Sequence, residues 1–247
     1  AGAMALECLD SSEHPFDPRL HAVRPHPGAV AVAAGVLRMV KGSGMIKGHA
    51  DCDKVQDPYS SRALAQVLGA SADAVRHARA VLETEINSAT DNPLVFADTG
   101  EVISGANFHG QPVALAMDYL AIGAAEAASI MERTVARLLA GEEGSLPRFL
   151  ARDPGLNSGY MIAQYTAAAL VSENKVLAHP ASVDSIPTSA GQEDHNSMGT
   201  IAARKARLVV ENSARVVRAA LLCAAEGEDP HRRPPDLPRF GNGRAAC

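Results

Sequence analysis

The strongest constraint on this chain is a set of three long alanine-rich segments in which apolar residues recur at helical spacing. The first extends from Pro112 to about Leu139, the second from Leu156 to Leu177 and the third from about Met198 to Ala225. Proline suits the first turn of a helix and glycine suits its end, and Pro112 and Gly141 stand at those places. The spacing therefore predicts an all-α fold built around a bundle of long helices.

Composition favours helices over sheets, because aromatic residues make up only 4% of the chain and tryptophan is absent. One exception is the segment from Leu94 to Ile103, where Asp98-Thr99-Gly100 separates two short apolar runs. That pattern predicts one small β-hairpin. Ahead of it, the segment from Asp73 to Asn87 is predicted to be a helix that ends at a turn formed by Asp91-Asn92-Pro93.

Two regions of different character divide the chain. Residues 1–225 have the apolar content of a helical domain with a substantial core, whereas residues 226–247 are rich in proline and arginine and are predicted to be a disordered tail. Helices this long and this rich in alanine expose more apolar surface than one core covers. We therefore expect the chain to form oligomers.

Charge and cysteine content exclude several functions. The net charge of -5 is spread without a basic block, so no nucleic-acid partner is expected. The four cysteines show no paired spacing and no signal-like segment opens the chain, which predicts a cytoplasmic protein. Asp118 and Glu126 interrupt the apolar stretch from Val113 to Ile130, so no membrane span is expected.

One polar segment, from Gln56 to Arg62, combines an amide, a phenol and a guanidinium within seven residues. The guanidinium of Arg62 suits a carboxylate, which it can hold with two parallel hydrogen bonds, and the phenol of Tyr59 can relay a proton. The segment thus has the chemistry of a site for an anionic substrate. The alternative is an ordinary helix start with an arginine on the surface.

Two further polar segments precede long predicted helices. In the segment from Ser104 to Pro112, free backbone N–H groups at the helix start would favour a bound anion. The alternative is that Phe108 only packs against the first turn of the helix as a hydrophobic staple and that His109 only caps the helix. In the segment from Ser182 to His195, Glu193 lies close to the predicted start of the third helix. If Glu193 pointed into a pocket, burial would raise its pKa and make it a proton carrier; alternatively it only complements the helix dipole.

A metal site is a weaker candidate. His49, Asp51 and Cys52 are ligand types close together, which leaves a metal hydrolase as a third functional hypothesis. The spacing lacks the paired histidines or cysteines of known metal motifs, so a polar loop without metal is expected.

Taken together, the polar segments resemble the histidine ammonia-lyases of the aromatic amino-acid lyase family. The resemblance covers roughly residues 1–225 and is strongest in a few continuous runs. These runs are Phe16-Asp17-Pro18-Arg19, His26-Pro27-Gly28, Gln56-Asp57-Pro58-Tyr59-Ser60, Glu85-Ile86-Asn87-Ser88, Asp91-Asn92-Pro93-Leu94, Gly105 to Pro112, Leu156-Asn157-Ser158-Gly159 and Ile162 to Arg207.

The resemblance implies a superhelical all-α fold of the ammonia-lyase/fumarase-like type and a homotetramer whose active sites each use several subunits. The family eliminates ammonia from L-histidine to give trans-urocanate. It uses an electrophilic 4-methylidene-imidazol-5-one (MIO) group that forms from an internal Ala-Ser-Gly, and it needs no metal.

Carried over by motif, the resemblance implies a role for five residues of this chain. Tyr59 would be a catalytic phenol near the substrate β-carbon, and Arg62 would bind the substrate carboxylate. Gln56 would donate or accept hydrogen bonds around the site, and Phe108 would pack beside the electrophile. Glu193 would contact the imidazole or the amine and account for the preference for histidine.

The sequence also departs from the family. It contains no Ala-Ser-Gly; Asn157-Ser158-Gly159 and Ile103-Ser104-Gly105 come nearest, and both match other family segments. The segment Ser61-Arg62-Ala63-Leu64-Ala65 differs from the family's usual Leu-Arg-Cys-Gln-Pro but keeps the arginine. We therefore expect the C-terminal part of such an enzyme, inactive alone and completed by an N-terminal chain. The alternative is a non-catalytic helical oligomerisation scaffold or remnant.

Overall fold

A computed structural model describes residues 1–48, 55–141 and 146–229 of the chain. Within these ranges the fold is mostly helical, as predicted, with one antiparallel pair of strands. The helices, α1 to α9 in chain order, are Gly2–Cys8, Pro18–Ala22, Pro27–Val40, Gly44–Gly48, Tyr59–Arg62, Leu64–Glu85, Gln111–Ala140, Met161–Leu177 and Gly199–Glu228. The strands are β1, Leu94–Phe96, and β2, Glu101–Ile103, and short 3₁₀ turns lie at His14–Phe16, Arg148–Leu150 and Ser189–Gly191.

The three predicted long helices are α7, α8 and α9, and their ends show where the sequence pattern is informative. Helix α7 stops at Gly141, which adopts the left-handed conformation with a φ of 69°. Helix α8 begins later than the apolar pattern predicts, because Gly155 and Gly159 have φ angles of 112° and 44° and bend the chain ahead of it. Helix α9 continues to Glu228, into the predicted tail, and residues 230–247 lie outside the described ranges.

The predicted β-hairpin is confirmed. Leu94 pairs with Ile103 and Phe96 with Glu101, and Gly100 in the turn has a φ of 72°. The side-chain oxygen of Asn92 accepts hydrogen bonds from the hydroxyl of Ser104 at 3.1 Å and from the backbone N–H of Gly105 at 2.7 Å. These two hydrogen bonds hold the ends of the hairpin together and fix the start of the segment that leads to α7.

Helix α7 lies at the centre of the bundle, packed against α6, α8 and α9. It is parallel to α9, because Gly110 lies beside Gly199 and the hydroxyl of Ser213 donates to the carbonyl of Ala124 at 2.9 Å. Helix α8 is antiparallel to α9, since the amide of Asn174 donates to the Ser213 hydroxyl whereas the phenol of Tyr160 reaches Glu226. The loops before α7 and α9 therefore lie at the same end of the bundle.

Buried apolar side chains form two clusters along the bundle. The larger joins α1 and α3 to the C-terminal halves of α7 and α9 and includes Leu6, Phe16, Leu64, Leu138, Leu150 and Val216. The smaller lies toward the N-terminal ends of α7 and α9 and includes Ala78, Ala116, Met117, Ala121, Ala202 and Val209. Alanine dominates the second cluster, which allows the helix axes to approach closely beneath the loops at that end.

Helix α7 is more apolar than the presence of Asp118 and Glu126 in its first two thirds suggested. On length and composition alone it is the one helix in the described ranges that fits a membrane span, with a mean hydropathy of 1.4 over its most apolar stretch. The core helix of a bundle passes the same test, and 44% of that stretch is buried inside the fold. Its packing against three neighbouring helices accounts for that composition.

Candidate active site

Helix α5, which carries Tyr59 and Arg62, is anchored to the segment that follows α1. The carboxylate of Asp57 accepts a hydrogen bond from the backbone N–H of Ser12 at 2.7 Å. The hydroxyl of Ser61 accepts one from the hydroxyl of Ser11 at 3.1 Å. Ser11, Ser61 and Asp57 are buried, so these bonds fix the start of the short helix.

Tyr59 and Arg62 lie one turn apart on α5 and contact each other. The guanidinium carbon of Arg62 is 4.7 Å from the centre of the Tyr59 ring, the geometry of a cation–π contact. The Tyr59 side chain is 72% exposed, whereas the Nε of Arg62 is buried and has no hydrogen-bond partner among the described residues. A buried guanidinium N–H without an acceptor is suited to an anionic ligand. Gln56 is exposed in the extended segment ahead of α5.

The other two predicted segments meet at the N-terminal ends of α7 and α9. The Nε2 of His109 donates a hydrogen bond of 3.0 Å to the backbone carbonyl of His195, and the two imidazole rings are 5.5 Å apart. Gly110 lies so close to Ser197 that a Cβ there would be 2.9 Å from the serine hydroxyl. Phe108, immediately before this contact, is 54% exposed. The contact between His109 and His195 thus places the segment that carries Phe108 beside the loop that carries Glu193.

Helix α7 also holds the beginning of the loop of residues 182–198, through two side chains that the sequence did not single out for a role. The carboxylate of Asp118 accepts from the backbone N–H of Ser182 at 2.6 Å, and the amide of Gln111 donates to the Ser182 carbonyl at 2.8 Å. Asp118 is 3% exposed. A buried acidic side chain in an apolar helical stretch requires a hydrogen-bond partner. The position of Asp118 in such a stretch was therefore the sequence signal that could have indicated its role.

We expect Asp118→Ala to lower the free energy of unfolding by about 2 kcal/mol, because it leaves the buried N–H of Ser182 without an acceptor. Urea unfolding followed by circular dichroism measures the change. Glu126→Ala is the matched control, since Glu126 is exposed on the same helix and its loss should cost less than about 0.5 kcal/mol. Equal unfolding curves for the two variants would contradict the role of Asp118.

Within the loop of residues 182–198, the side chain of Asn196 is the centre of a hydrogen-bond network. Its amide nitrogen donates to the carbonyl of Ile186 at 2.8 Å, to the hydroxyl of Thr188 at 3.0 Å and to the carbonyl of Glu193 at 3.2 Å. The backbones of Thr188 and Glu193 also pair with each other, with N–O distances of 2.9 and 3.3 Å. These contacts fold residues 188–193 into a tight turn, in which Ala190 has a φ of 56°.

Glu193 is neither buried in a pocket nor in the first turn of α9. It lies in this turn before α9 begins at Gly199, and its side chain is exposed and not enclosed in a pocket. Hydrogen bonds from the hydroxyl of Thr188 and then from Ser189 lower the pKa of its carboxyl below the ordinary value of 4.5. In the described residues Glu193 is not buried in a pocket, so the condition for a raised pKa is not met. Glu193 is a carboxylate, suited to a positively charged group.

The two groups of predicted residues lie at opposite ends of the bundle. Helices α6 and α7 are antiparallel, since Ala74 faces Gly123 and the ring of His77 meets that of Tyr119. Leu64, at the start of α6, therefore lies near the C-terminal part of α7, and α5 lies beside it. At about 1.5 Å per residue, this level is roughly 30 Å from the start of α7. One chain therefore does not bring Tyr59 and Arg62 into a common pocket with Phe108 and Glu193.

The weak metal-site candidate formed by His49, Asp51 and Cys52 lies outside the described residues. In the ranges that the structure describes, histidine, cysteine, aspartate and glutamate side chains form no group of three that could hold a metal ion.

Comparison with known proteins relates this chain to enzymes of one family. The sequence profile described as "Aromatic amino acid lyase" matches residues 1–246. The histidine ammonia-lyase of Gloeobacter violaceus is 57% identical over 230 residues, which are 93% of this chain and 45% of that protein. The histidine ammonia-lyase of Burkholderia vietnamiensis is 52% identical over 240 residues, 96% of this chain and 47% of that protein. The chain thus spans about half the length of the curated relatives it matches.

Solved structures agree with the sequence comparisons. The crystal structure of histidine ammonia-lyase from Trypanosoma cruzi superposes with a TM-score of 0.81 at 48% identity, covering 92% of this chain and 42% of that one. Tyrosine aminomutase from Streptomyces globisporus superposes with a TM-score of 0.86 at 39% identity, covering 92% of this chain and 47% of that one. The long-helix fold and the sequence match together show that this chain belongs to the aromatic amino acid lyase family.

Proposed function

We propose that this chain is the C-terminal part of a histidine ammonia-lyase, which eliminates ammonia from L-histidine to give trans-urocanate. The observation that carries the proposal is 52–57% identity to proteins named histidine ammonia-lyase over 93–96% of the chain. The site chemistry supports it as well. The chain presents a buried guanidinium N–H that has no acceptor among the described residues and so suits a carboxylate, and an exposed carboxylate for a cationic nitrogen.

The elimination breaks the Cβ–H and Cα–N bonds of histidine and forms a Cα=Cβ double bond. In the proposed mechanism the oxygen of Tyr59, acting as a phenolate, takes the β-proton. The electron pair of the broken Cβ–H bond forms the double bond, and the electron pair of the broken C–N bond leaves with the amine. Arg62 binds the substrate carboxylate, and Gln56 contributes hydrogen bonds around the site. Glu193 contacts the imidazole or the amine and favours histidine over neutral aromatic amino acids.

The proposal includes the MIO group, which forms from an Ala-Ser-Gly that lies outside the present sequence. When bound, it supplies the electron-withdrawing centre that lowers the barrier to elimination. The residues present fit such a planar group, because Phe108 exposes an aromatic ring beside the clamped contact between His109 and His195. We assign no metal to the reaction, and we place the enzyme in the cytoplasm.

More than one chain is needed to complete the proposed site. Tyr59 and Phe108 are both largely exposed, and they lie at opposite ends of α7. A homo-oligomer, a tetramer by family resemblance, would bring the end of one chain that carries Tyr59 to the end of a second chain that carries Phe108. A complementary N-terminal chain would add the electrophile. We therefore expect the isolated chain to be inactive.

Complementation tests the proposed function directly. The chain is mixed and refolded with a purified N-terminal fragment of a histidine ammonia-lyase, and the rise in urocanate absorbance is followed after L-histidine is added. We expect turnover from the mixture and none from either part alone. Absence of turnover in a mixture that size-exclusion chromatography shows to be folded and assembled would overturn the proposal.

The exposed apolar side chains on the long helices favour a second candidate, a non-catalytic oligomerisation scaffold. Large apolar residues are exposed on all three, among them Leu115 and Ile122 on α7, Ile162 and Tyr165 on α8, and Leu208 and Leu222 on α9. Calorimetry on the assembled mixture separates the two candidates. Binding of L-histidine that Arg62→Ala abolishes supports the enzyme, whereas assembly without binding supports the scaffold.

A further inference from the structure

We propose that Thr188 is a positioning residue that holds Glu193 as a carboxylate in one orientation, ready for a positively charged nitrogen of the substrate. The substrate part of this inference rests on the proposed function. The contact between the two side chains does not, because it is a feature of the folded chain itself.

The first step concerns where the hydroxyl proton of Thr188 points. A threonine hydroxyl has one proton to donate and two lone pairs that accept. The amide nitrogen of Asn196, which can only donate, lies 3.0 Å from the Thr188 oxygen and uses one lone pair. The hydroxyl proton is left for the neighbouring oxygen of Glu193, which accepts it. The chain of donors thus runs from Asn196 through Thr188 to Glu193.

The second step concerns the charge of Glu193. A hydrogen bond donated to a carboxylate stabilises its charged form more than its protonated form, and therefore lowers its pKa. The pKa of Glu193 is lowered, as such a bond requires, and the hydroxyl of Thr188 is the largest cause of that shift. The other ionisable groups of the loop are Asp184, Asp194 and His195, and His109 faces it from the segment before α7.

The third step concerns orientation. Glu193 is exposed, and an exposed glutamate normally samples many rotamers. Here its backbone pairs with that of Thr188, and its side chain returns to the Thr188 hydroxyl, so one carboxylate oxygen is fixed. A carboxylate has about four lone-pair sites, so sites remain for a ligand beside the hydrogen bonds from Thr188 and Ser189. A cationic nitrogen, the imidazolium or the ammonium of histidine, is the ligand class that such a fixed carboxylate recognises.

Titration of the Glu193 carboxyl tests the contact in the full chain. Glutamate side chains are labelled with ¹³C, the Glu193 signal is assigned by its loss in Glu193→Gln, and its chemical shift is followed from pH 7 downward. We expect Thr188→Val to move the titration midpoint upward, toward the ordinary 4.5. Thr188→Ser keeps a hydroxyl and should retain the low midpoint.

Thr84→Val is the matched control, because the exposed hydroxyl of Thr84 bonds only to the carbonyl of Ala80 in its own helix. An unchanged midpoint in Thr188→Val would overturn the proposal, as would a Thr188→Ser midpoint that moves with it. A merely structural role of Thr188 would change stability without separating the serine from the valine variant in this way.

Kinetics of the complemented assembly test the substrate part. Thr188→Val releases the Glu193 carboxylate from its fixed orientation and so weakens its contact with the substrate nitrogen. The variant should raise KM for L-histidine about tenfold, with a smaller change in kcat. An unchanged KM would overturn the assignment of the substrate nitrogen. If even the unaltered assembly shows no turnover, the proposed function fails, while the titration still decides whether Thr188 controls Glu193.

Discussion

Tyr59→Phe is expected to lower kcat for L-histidine roughly 10²–10⁴-fold in the complemented assembly, the range typical for loss of a proton-transfer group. The variant keeps the aromatic ring that stacks with Arg62 at 4.7 Å, so substrate binding and the shape of α5 should change little. The effect should therefore appear in kcat with KM close to that of the parent. Steady-state urocanate formation measures both constants.

Tyr165→Phe is the matched control for this variant. Tyr165 is a tyrosine of similar exposure, 65% against 72% for Tyr59, and it lies on α8, which carries none of the proposed site residues. Its loss of a hydroxyl should leave turnover within about twofold of the parent, which at 1.4 kcal/mol per tenfold is a few tenths of a kcal/mol. Turnover by Tyr59→Phe that matches Tyr165→Phe would remove Tyr59 from the proton-transfer role.

Local sequence signals predicted the elements whose ends depend on backbone conformation. Pro112 stands in the first turn of α7, where the missing N–H of proline is tolerated, and Gly141 ends the helix with a positive φ. The hairpin followed from a turn that needs Gly100 at a φ of 72°. The start of α8 was wrong because apolar spacing continues through Leu156, which is 93% exposed and lies in a turn. Spacing alone does not tell an exposed leucine from a buried one.

The environment of the candidate site depended on contacts that no local pattern contains. Asp118 reaches Ser182 across 64 positions of sequence, and His109 reaches His195 across 86. The charge of Glu193 depends on the Thr188 hydroxyl, which approaches only because the turn between them folds back. Residue types could indicate which side chains have suitable chemistry, but the direction of the pKa shift of Glu193 required the fold.

The close crossing of α3 and α6 also depends on a contact between distant segments, which the local sequence around Gly69 does not predict. The predicted helix before the hairpin began at Asp73, whereas α6 begins at Leu64 and carries Gly69 in its interior. Glycine weakens an isolated helix by about 1 kcal/mol, which favours a break there. In the structure Gly69 lies against Gly28 and Ala29 of α3, and the absence of both glycine side chains lets the two backbones meet. Packing thus offsets the poor helix propensity.

Gly69→Ala is therefore expected to lower the free energy of unfolding by roughly 3 kcal/mol, the upper end of the usual cost of overpacking. The added Cβ would lie 2.5 Å from the Cα of Ala29, and because backbone cannot rotate away, the helices must separate. Gly35→Ala on α3 is the control. A Cβ there meets nothing within 4 Å, so helix propensity alone should stabilise the fold by about 0.5–1 kcal/mol. Opposite shifts in the urea midpoint would establish that the crossing needs glycine, whereas a stabilised Gly69→Ala would mean that α3 and α6 lie farther apart than described.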